Sequence, residues 1–307
     1  MRYVVEAWDS DYGAPADSEQ IDASDHVDVS VEVAADQWRP LTPEVDGATD
    51  VLFVDGVRRI DATLWIEQPP DFPAFSLAAT YAAGAVRCRE RATLEVAEVD
   101  RGLFTSTTAE DIETKVGTYR VRATKGSTSE ELWLGIQQRL GDLEAGVARR
   151  AGDAEIVVVD GPLSHVREIP DAVGYIKSHK VQYLPVELRP VLMSLPVGQR
   201  TPLFLTTTTW SRFSWYLRLA SAPGPAGGLV RCEVSADQSA ADAARVASKV
   251  SATLPRFASS PHKDPRAPQN LYPIGGLERE LRHRLGDREM SIRALRSVSV
   301  PTAELSS

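Results

Sequence analysis

Two short apolar runs, Val51-Leu52-Phe53-Val54 and Val157-Val158-Val159, restrict the fold most tightly, because each is rich in β-branched or aromatic residues and each is followed at once by Asp-Gly. Runs of this length and composition read as strands buried on both faces, and Asp-Gly reads as a turn. Asp55-Gly56 and Asp160-Gly161 are therefore expected to close two buried strands, each delivering one carboxylate to the end of a sheet. A pair of carboxylates meeting there would bind a hard divalent cation through oxygen, and one or two such cations can activate water against a phosphodiester. Asp-Gly also closes strands by turn chemistry alone, so the dipeptide by itself leaves a purely structural role open.

At 307 residues, with 43% hydrophobic and 25% charged side chains, the chain can bury a sizeable core, and disorder throughout is excluded. No secretory apolar segment or uninterrupted transmembrane run is apparent, which predicts a cytoplasmic protein with no membrane partner. Cys88 and Cys232 are the only cysteines, too few for a thiolate metal cluster or a disulfide framework. The net charge of −9 is unevenly spread: residues 1–50 carry 13 acidic and 2 basic side chains, a balance of −11, and the rest sums to +2. The acidic block is a solvated face or a shield against polyanions, and it does not exclude a basic groove elsewhere.

Taken in order, Arg2 to Trp8 and the alternating Val27 to Val33 read as strands of an acidic, β-rich extension over residues 1–50. Arg58 to Ile66 and Ala74 to Val86, the latter around a Gly84 turn signal, extend a sheet that begins with the Asp55 strand. Arg58 and Arg59 there could meet phosphate or pair with a nearby carboxylate. From Thr128 to Arg150 the period changes: Leu132, Ile136, Leu140, Leu143 and Val147 form a helical stripe, with Thr128 or Ser129 to cap it and Gly152 after it. Glu144 on this helix could approach the strand-end aspartates, or pair with Arg149 or Arg150. Lys177, His179 and Lys180 could position phosphate. Phe213 to Leu217 reads as a strand in which Trp215 and Tyr216 pack in the core or stack a base, Ser239 to Val250 as a helix, and Leu277 to Leu285 as the centre of a last one.

A basic, proline-rich stretch from Lys263 to Ile274 precedes that last helix. Together with the Asp55-Gly56 strand, the Glu144 helix, Asp160-Gly161-Pro162-Leu163 and Tyr175-Ile176-Lys177-Ser178, it resembles the NurA nuclease domain family over about Val51 to Gly286. The resemblance implies an α/β fold with an RNase H-like mixed central sheet and flanking helices, a nuclease domain over 51–286 and a tail over 287–307. It also implies metal-dependent, end-directed DNA digestion, 5′-to-3′ with single-strand endonuclease activity, using Mn2+ or Mg2+. A HerA-like hexameric ATPase would be the partner and a homodimer the assembly. By the same resemblance Asp55, Asp160 and Glu144 are metal carboxylates, Lys177 and Tyr272 are site residues, and the family's histidine falls near Glu280 or at His283. The alternatives are a nucleic-acid-binding protein with reduced catalysis and an adaptor for a DNA-translocating ATPase.

Overall fold

The computed structural model describes residues 27–68, 71–166, 168–169, 171–177, 183–208, 210–224 and 226–299. The expected Arg2–Trp8 strand and Ser178 to Lys180 lie outside them. In chain order the strands are β1 (Val27–Asp28), β2 (Val51–Gln68), β3 (Asp71–Cys88), β4 (Ala92–Thr105), β5 (Ile112–Thr114) and β6 (Gly117–Ala123), then β7 (Ile156–Asp160), β8 (Ala172–Ile176), β9 (Phe204–Thr207), β10 (Ser211–Arg218) and β11 (Leu229–Ser235). The helices are α1 (Ser129–Ala151), α2 (Arg189–Met193), α3 (Ala240–Thr253), α4 (Tyr272–Arg284) and α5 (Arg288–Val298). The strands form one sheet in the order β1-β9-β10-β11-β8-β7-β2-β3-β4-β6-β5. It is mixed: β2, β7 and β8 run parallel, whereas β11 is antiparallel to β8 and β10 to β11. Its central order β4-β3-β2-β7-β8, with α1 leading into β7, is the α/β arrangement expected of an RNase H-like sheet. Among the described residues no helix is long and apolar enough to cross a membrane.

The chain divides into two compact units: Met1–Asp55, Ala85–Val96 and Ala148–Leu277 form the first, and Gly56–Gly84, Ala97–Val147 and Glu278–Ser307 the second. In the first unit one core gathers Phe53, Val158, Val173, Trp215 and Val230 of the sheet under Ala243, Ala247 and Val250 of α3 and Ile274 of α4. Ser239 caps α3 by accepting from the Asp242 N–H, as its helical pattern requires. A second core holds Trp38, Leu184, Phe204 and Tyr216. Trp215 and Tyr216 are thus both core residues. The N-terminal strand region is shorter than its alternation predicts, because only Val27 and Asp28 pair, with Thr206 and Leu205.

In the second unit, alternate residues of β3 serve two cores. Leu77, Ala79 and Tyr81 pack with Leu132, Ile136 and Leu140 of α1, while Ala78 packs with Tyr119 and Leu295 of α5. The predicted α1 stripe is therefore its buried face. Thr128 and Glu131 close a reciprocal capping box at its start, the Thr128 hydroxyl accepting from the Glu131 N–H at 3.2 Å and the Glu131 carboxylate from the Thr128 N–H at 3.1 Å. Gly152 follows it at φ +78, a left-handed position suited to glycine.

Two turn expectations fail, and at Gly56 the reason is packing. β2 does not end at Asp55-Gly56 and β3 does not turn at Gly84; each strand runs straight through its glycine and is 18 residues long in all. A Cβ on Gly56 would stand 2.7 Å from Leu140 Cδ1 and 2.3 Å from Glu144 Oε1, so this glycine admits α1 rather than turning the chain.

One buried cluster holds the second unit together on the side of α5. Asp61, 1% exposed, accepts from the Thr80 hydroxyl at 2.5 Å, the Tyr119 hydroxyl at 2.9 Å and Arg59 Nε at 2.7 Å. Arg59 also donates to the Leu285 and Gly286 carbonyls. Removing a buried, multiply bonded carboxylate strands its partners. Asp61→Ala should therefore lower the unfolding free energy by about 3 kcal/mol or more in urea titrations, whereas Glu289→Ala, which breaks only an exposed helical pair with Arg293, should change it by under about 0.5 kcal/mol.

Candidate metal centre

The site follows from strand register. β2 and β7 pair in parallel with Val51 opposite Ile156, Phe53 opposite Val158 and Val54 opposite Val159, so the next positions along the two strands are Asp55 and Asp160. Side chains alternate along a strand, so both aspartates share a face with Phe53 and Val158, the face that α3 and Ile274 of α4 cover. The third carboxylate comes from α4. Ile274, Leu277 and Leu281 form its buried stripe, continued by Leu285 just past its end, and Glu278 sits inside that stripe at 8% exposure. The helix is continuous from Tyr272, so the packing of Ile274 and Leu277 carries Glu278 to its place. One carboxylate oxygen each from Asp55, Asp160 and Glu278 lie within 4.8 Å of one another.

A second line of side chains supports the Asp160 end. The buried Lys177 ammonium donates to Asp160 Oδ2 at 2.5 Å and to Asn270 Oδ1 at 3.1 Å. Asn270 Nδ2 in turn donates to Asp264 Oδ2 at 2.6 Å. Burial pushes the Asp264 carboxyl up, but the hydrogen bonds from Asn270 and the Arg266 N–H and the charge of Arg266 outweigh it and hold the group below the usual range. Asp264 is thus an acceptor at neutral pH, which turns the Asn270 amide nitrogen toward it and the amide oxygen toward Lys177. Gly275 leaves room for this arrangement: a Cβ there would lie 3.1 Å from Asn270 Nδ2 and 3.3 Å from Asp264 Oδ2. Beside it the Tyr175 hydroxyl donates to the Gln269 carbonyl at 2.5 Å and anchors the loop on β8.

Among the residues singled out from sequence, Asp55, Asp160 and Lys177 come together, and the remaining carboxylate of the group is Glu278 rather than Glu144 or Glu280. The Glu144 carboxylate lies against Gly56, and successive strand residues face opposite ways, so it approaches β2 from the face that Asp55 does not use. Glu280, two residues and about 200° of helix beyond Glu278, pairs with Arg284 Nε at 2.8 Å. His283 is exposed. Tyr272 is 41% exposed, its hydroxyl 2.6 Å from that of Ser260. Arg59 pairs with Asp61, and Arg58 stacks 4.2 Å from the centroid of Trp133. Sequence reasoning passed over Glu278, although a readable signal was present: a carboxylate four residues after Ile274 and three before Leu281 interrupts an apolar helical stripe.

The donor set tests which ion would fit. Three carboxylates and no thiol or imidazole make an all-oxygen group, which suits Mg2+ or Mn2+. Their mutual repulsion falls when a dication joins them, and Lys177 offsets only part of it. The fold and this group together define a buried carboxylate centre on an RNase H-like sheet, consistent with metal-dependent nucleic-acid hydrolysis in general. No protein-family model matches the chain, and no curated protein matches it.

Titration with Mn2+ followed by electron paramagnetic resonance tests the group directly. Asp55→Asn, Asp160→Asn and Glu278→Gln should each weaken binding beyond the roughly tenfold cost of losing an outer-shell contact. Glu280→Gln should change it by less than about twofold, since an exposed i,i+4 pair is worth only tenths of a kcal/mol. Equal affinities in all four would remove the three carboxylates from ion binding.

Proposed function

We propose that this protein is a divalent-metal-dependent deoxyribonuclease of the NurA type, digesting DNA from its ends 5′-to-3′ with single-strand endonuclease activity. In this reading it acts in DNA-end processing or repair in the cytoplasm, as a homodimer working with a HerA-like hexameric ATPase. The single observation that carries the catalytic part is the Asp55, Asp160 and Glu278 cluster, with oxygens within 4.8 Å of one another. The order of motifs along the chain supports the choice of DNA and of the partner.

Asp55, Asp160 and Glu278 would hold the ion. Bound there, Mn2+ or Mg2+ would supply Lewis-acid activation of water and stabilisation of charge on the phosphodiester oxygens. Lys177 adds a fixed positive charge on the Asp160 side, and its bond to Asn270 keeps the ammonium from turning away. A fixed donor of this kind favours the extra negative charge that the scissile phosphate acquires as it is attacked. Tyr272 presents an exposed ring six residues before Glu278 on α4, available to orient the strand.

Purified protein should degrade labelled DNA with Mn2+ or Mg2+ and not in chelator. Asp55→Asn, Asp160→Asn and Glu278→Gln should each slow cleavage by at least about a hundredfold while retaining the fold and most DNA binding. Inactivity of well-folded protein on single-stranded, duplex and frayed-end substrates would sink the nuclease reading. Light scattering on a sizing column, alone and with a HerA-like ATPase, checks the assembly: a monomer that never captures the ATPase would overturn the partner assignment.

A further inference from the structure

Within the first unit lies a pocket of about 430 Å3 that the metal centre does not use. One wall is the turn between β3 and β4 with its flanking residues, and the other is Phe257 and the first turns of α4. Val86, Leu94, Phe257 and Leu277 make its interior apolar, while Tyr272 and the exposed Arg89, Glu90 and Arg91 stand around it, two cations against one carboxylate. An apolar slot of this size with a few polar groups at its border is the usual form of a small-ligand site.

Three details narrow the ligand. Tyr272 presents an exposed ring held in place by its hydroxyl on Ser260, and Lys263 Nζ lies 5.2 Å from the ring centroid. Arg89 is tied to Asp50 at 2.8 Å, whereas among the described residues Arg91 makes no side-chain hydrogen bond or ion pair and is open to an anion. Gly276 is the third. It lies mid-helix, where glycine is less favourable than alanine, and neither a left-handed φ nor crowding requires it, since a Cβ there would meet no atom within 4 Å. Its Cα lines the pocket and faces open space, so a long side chain there would project into the space a ligand would use. Cys88 also lines the space, but burial holds its thiol protonated, raised to about 11 against the pull of Arg256, so the pocket is no thiol-nucleophile site.

We propose that this pocket binds a nucleotide, with the base against Tyr272 and the phosphate at Arg91, and that it receives a nucleotide of the DNA strand processed at the metal centre. A flat ring on one wall and an open guanidinium on the other suit a base with its phosphate, because every base has a face to stack. The proposal rests on the nuclease reading for the source of the nucleotide. Tyr272 and Glu278 are six residues apart on one helix, about 9 Å along its axis, so α4 fixes the distance between pocket and metal carboxylate.

The test is calorimetry on the full-length protein in chelator, with dAMP, a short single-stranded oligonucleotide and inorganic phosphate as separate titrants. Saturable binding of dAMP and the oligonucleotide, at least about fivefold weaker in Tyr272→Ala and in Arg91→Glu and lost in Gly276→Leu, is expected. Mn2+ binding and melting temperature should stay at wild-type values in Arg91→Glu and Gly276→Leu, which leave the three carboxylates in place. Phosphate binding as tightly as dAMP would overturn recognition of the base. Nucleotide binding that is absent, or equal in all variants, would overturn the pocket even if Mn2+-dependent cleavage stands. Nucleotide binding lost in Gly276→Leu alongside Mn2+ binding that ignores Asp55→Asn would instead keep the pocket and remove the metal centre.

Discussion

The parallel pairing of β2 with β7 is the constraint on which the candidate site depends. Adjacent strands lie about 4.8 Å apart, so a register that sets Val54 opposite Val159 leaves the next two side chains on one face as close neighbours. A slip of one residue would turn one aspartate toward α1. The slip is prevented by packing: Phe53 and Val158, one pleat back on the same face, are both fully buried in the core under α3 and Ile274 of α4. Hydrophobic burial therefore sets the position of the polar groups. The same α4 stripe that completes this core delivers Glu278.

How much of this could be read from the chain varies with the range of the interaction. The α1 stripe from Leu132 to Val147, its Thr128 cap and the two apolar strands depend on neighbours in sequence, and periodicity exposed them. Gly56 shows where local reading stops. As a dipeptide Asp55-Gly56 resembles a turn, but its glycine answers to Leu140 and Glu144, more than eighty residues away, and only packing distinguishes a turn glycine from one that makes room for a helix. Gly161 has the same dipeptide context, and there φ of +110 fits a true change of direction after β7.

The third carboxylate was hidden for a related reason. Glu144 was the natural candidate because it lies close to Asp160 in sequence and on a helix that precedes the strand. Strand alternation overrules that proximity, since α1 covers the Gly56 side of β2. Glu278 lies more than a hundred residues from either aspartate, and the only local mark it leaves is an acid set among leucines. A charged residue on the buried face of a helix must find partners there, so it was the more informative acid of the two.

Lys177 adds a consequence for how the centre is assembled. An ammonium held between Asp160 and Asn270 acts as a resident counter-ion, so folding can gather the acids before any dication arrives. Many small metal-organised domains have no such internal charge, and for them folding and loading are one event. Here the two would be separable: the large sheet and its cores supply the stability, and an ion would enter a cradle already built. Chelation would then behave as a reversible off state, leaving a folded chain that regains its ion without having to refold.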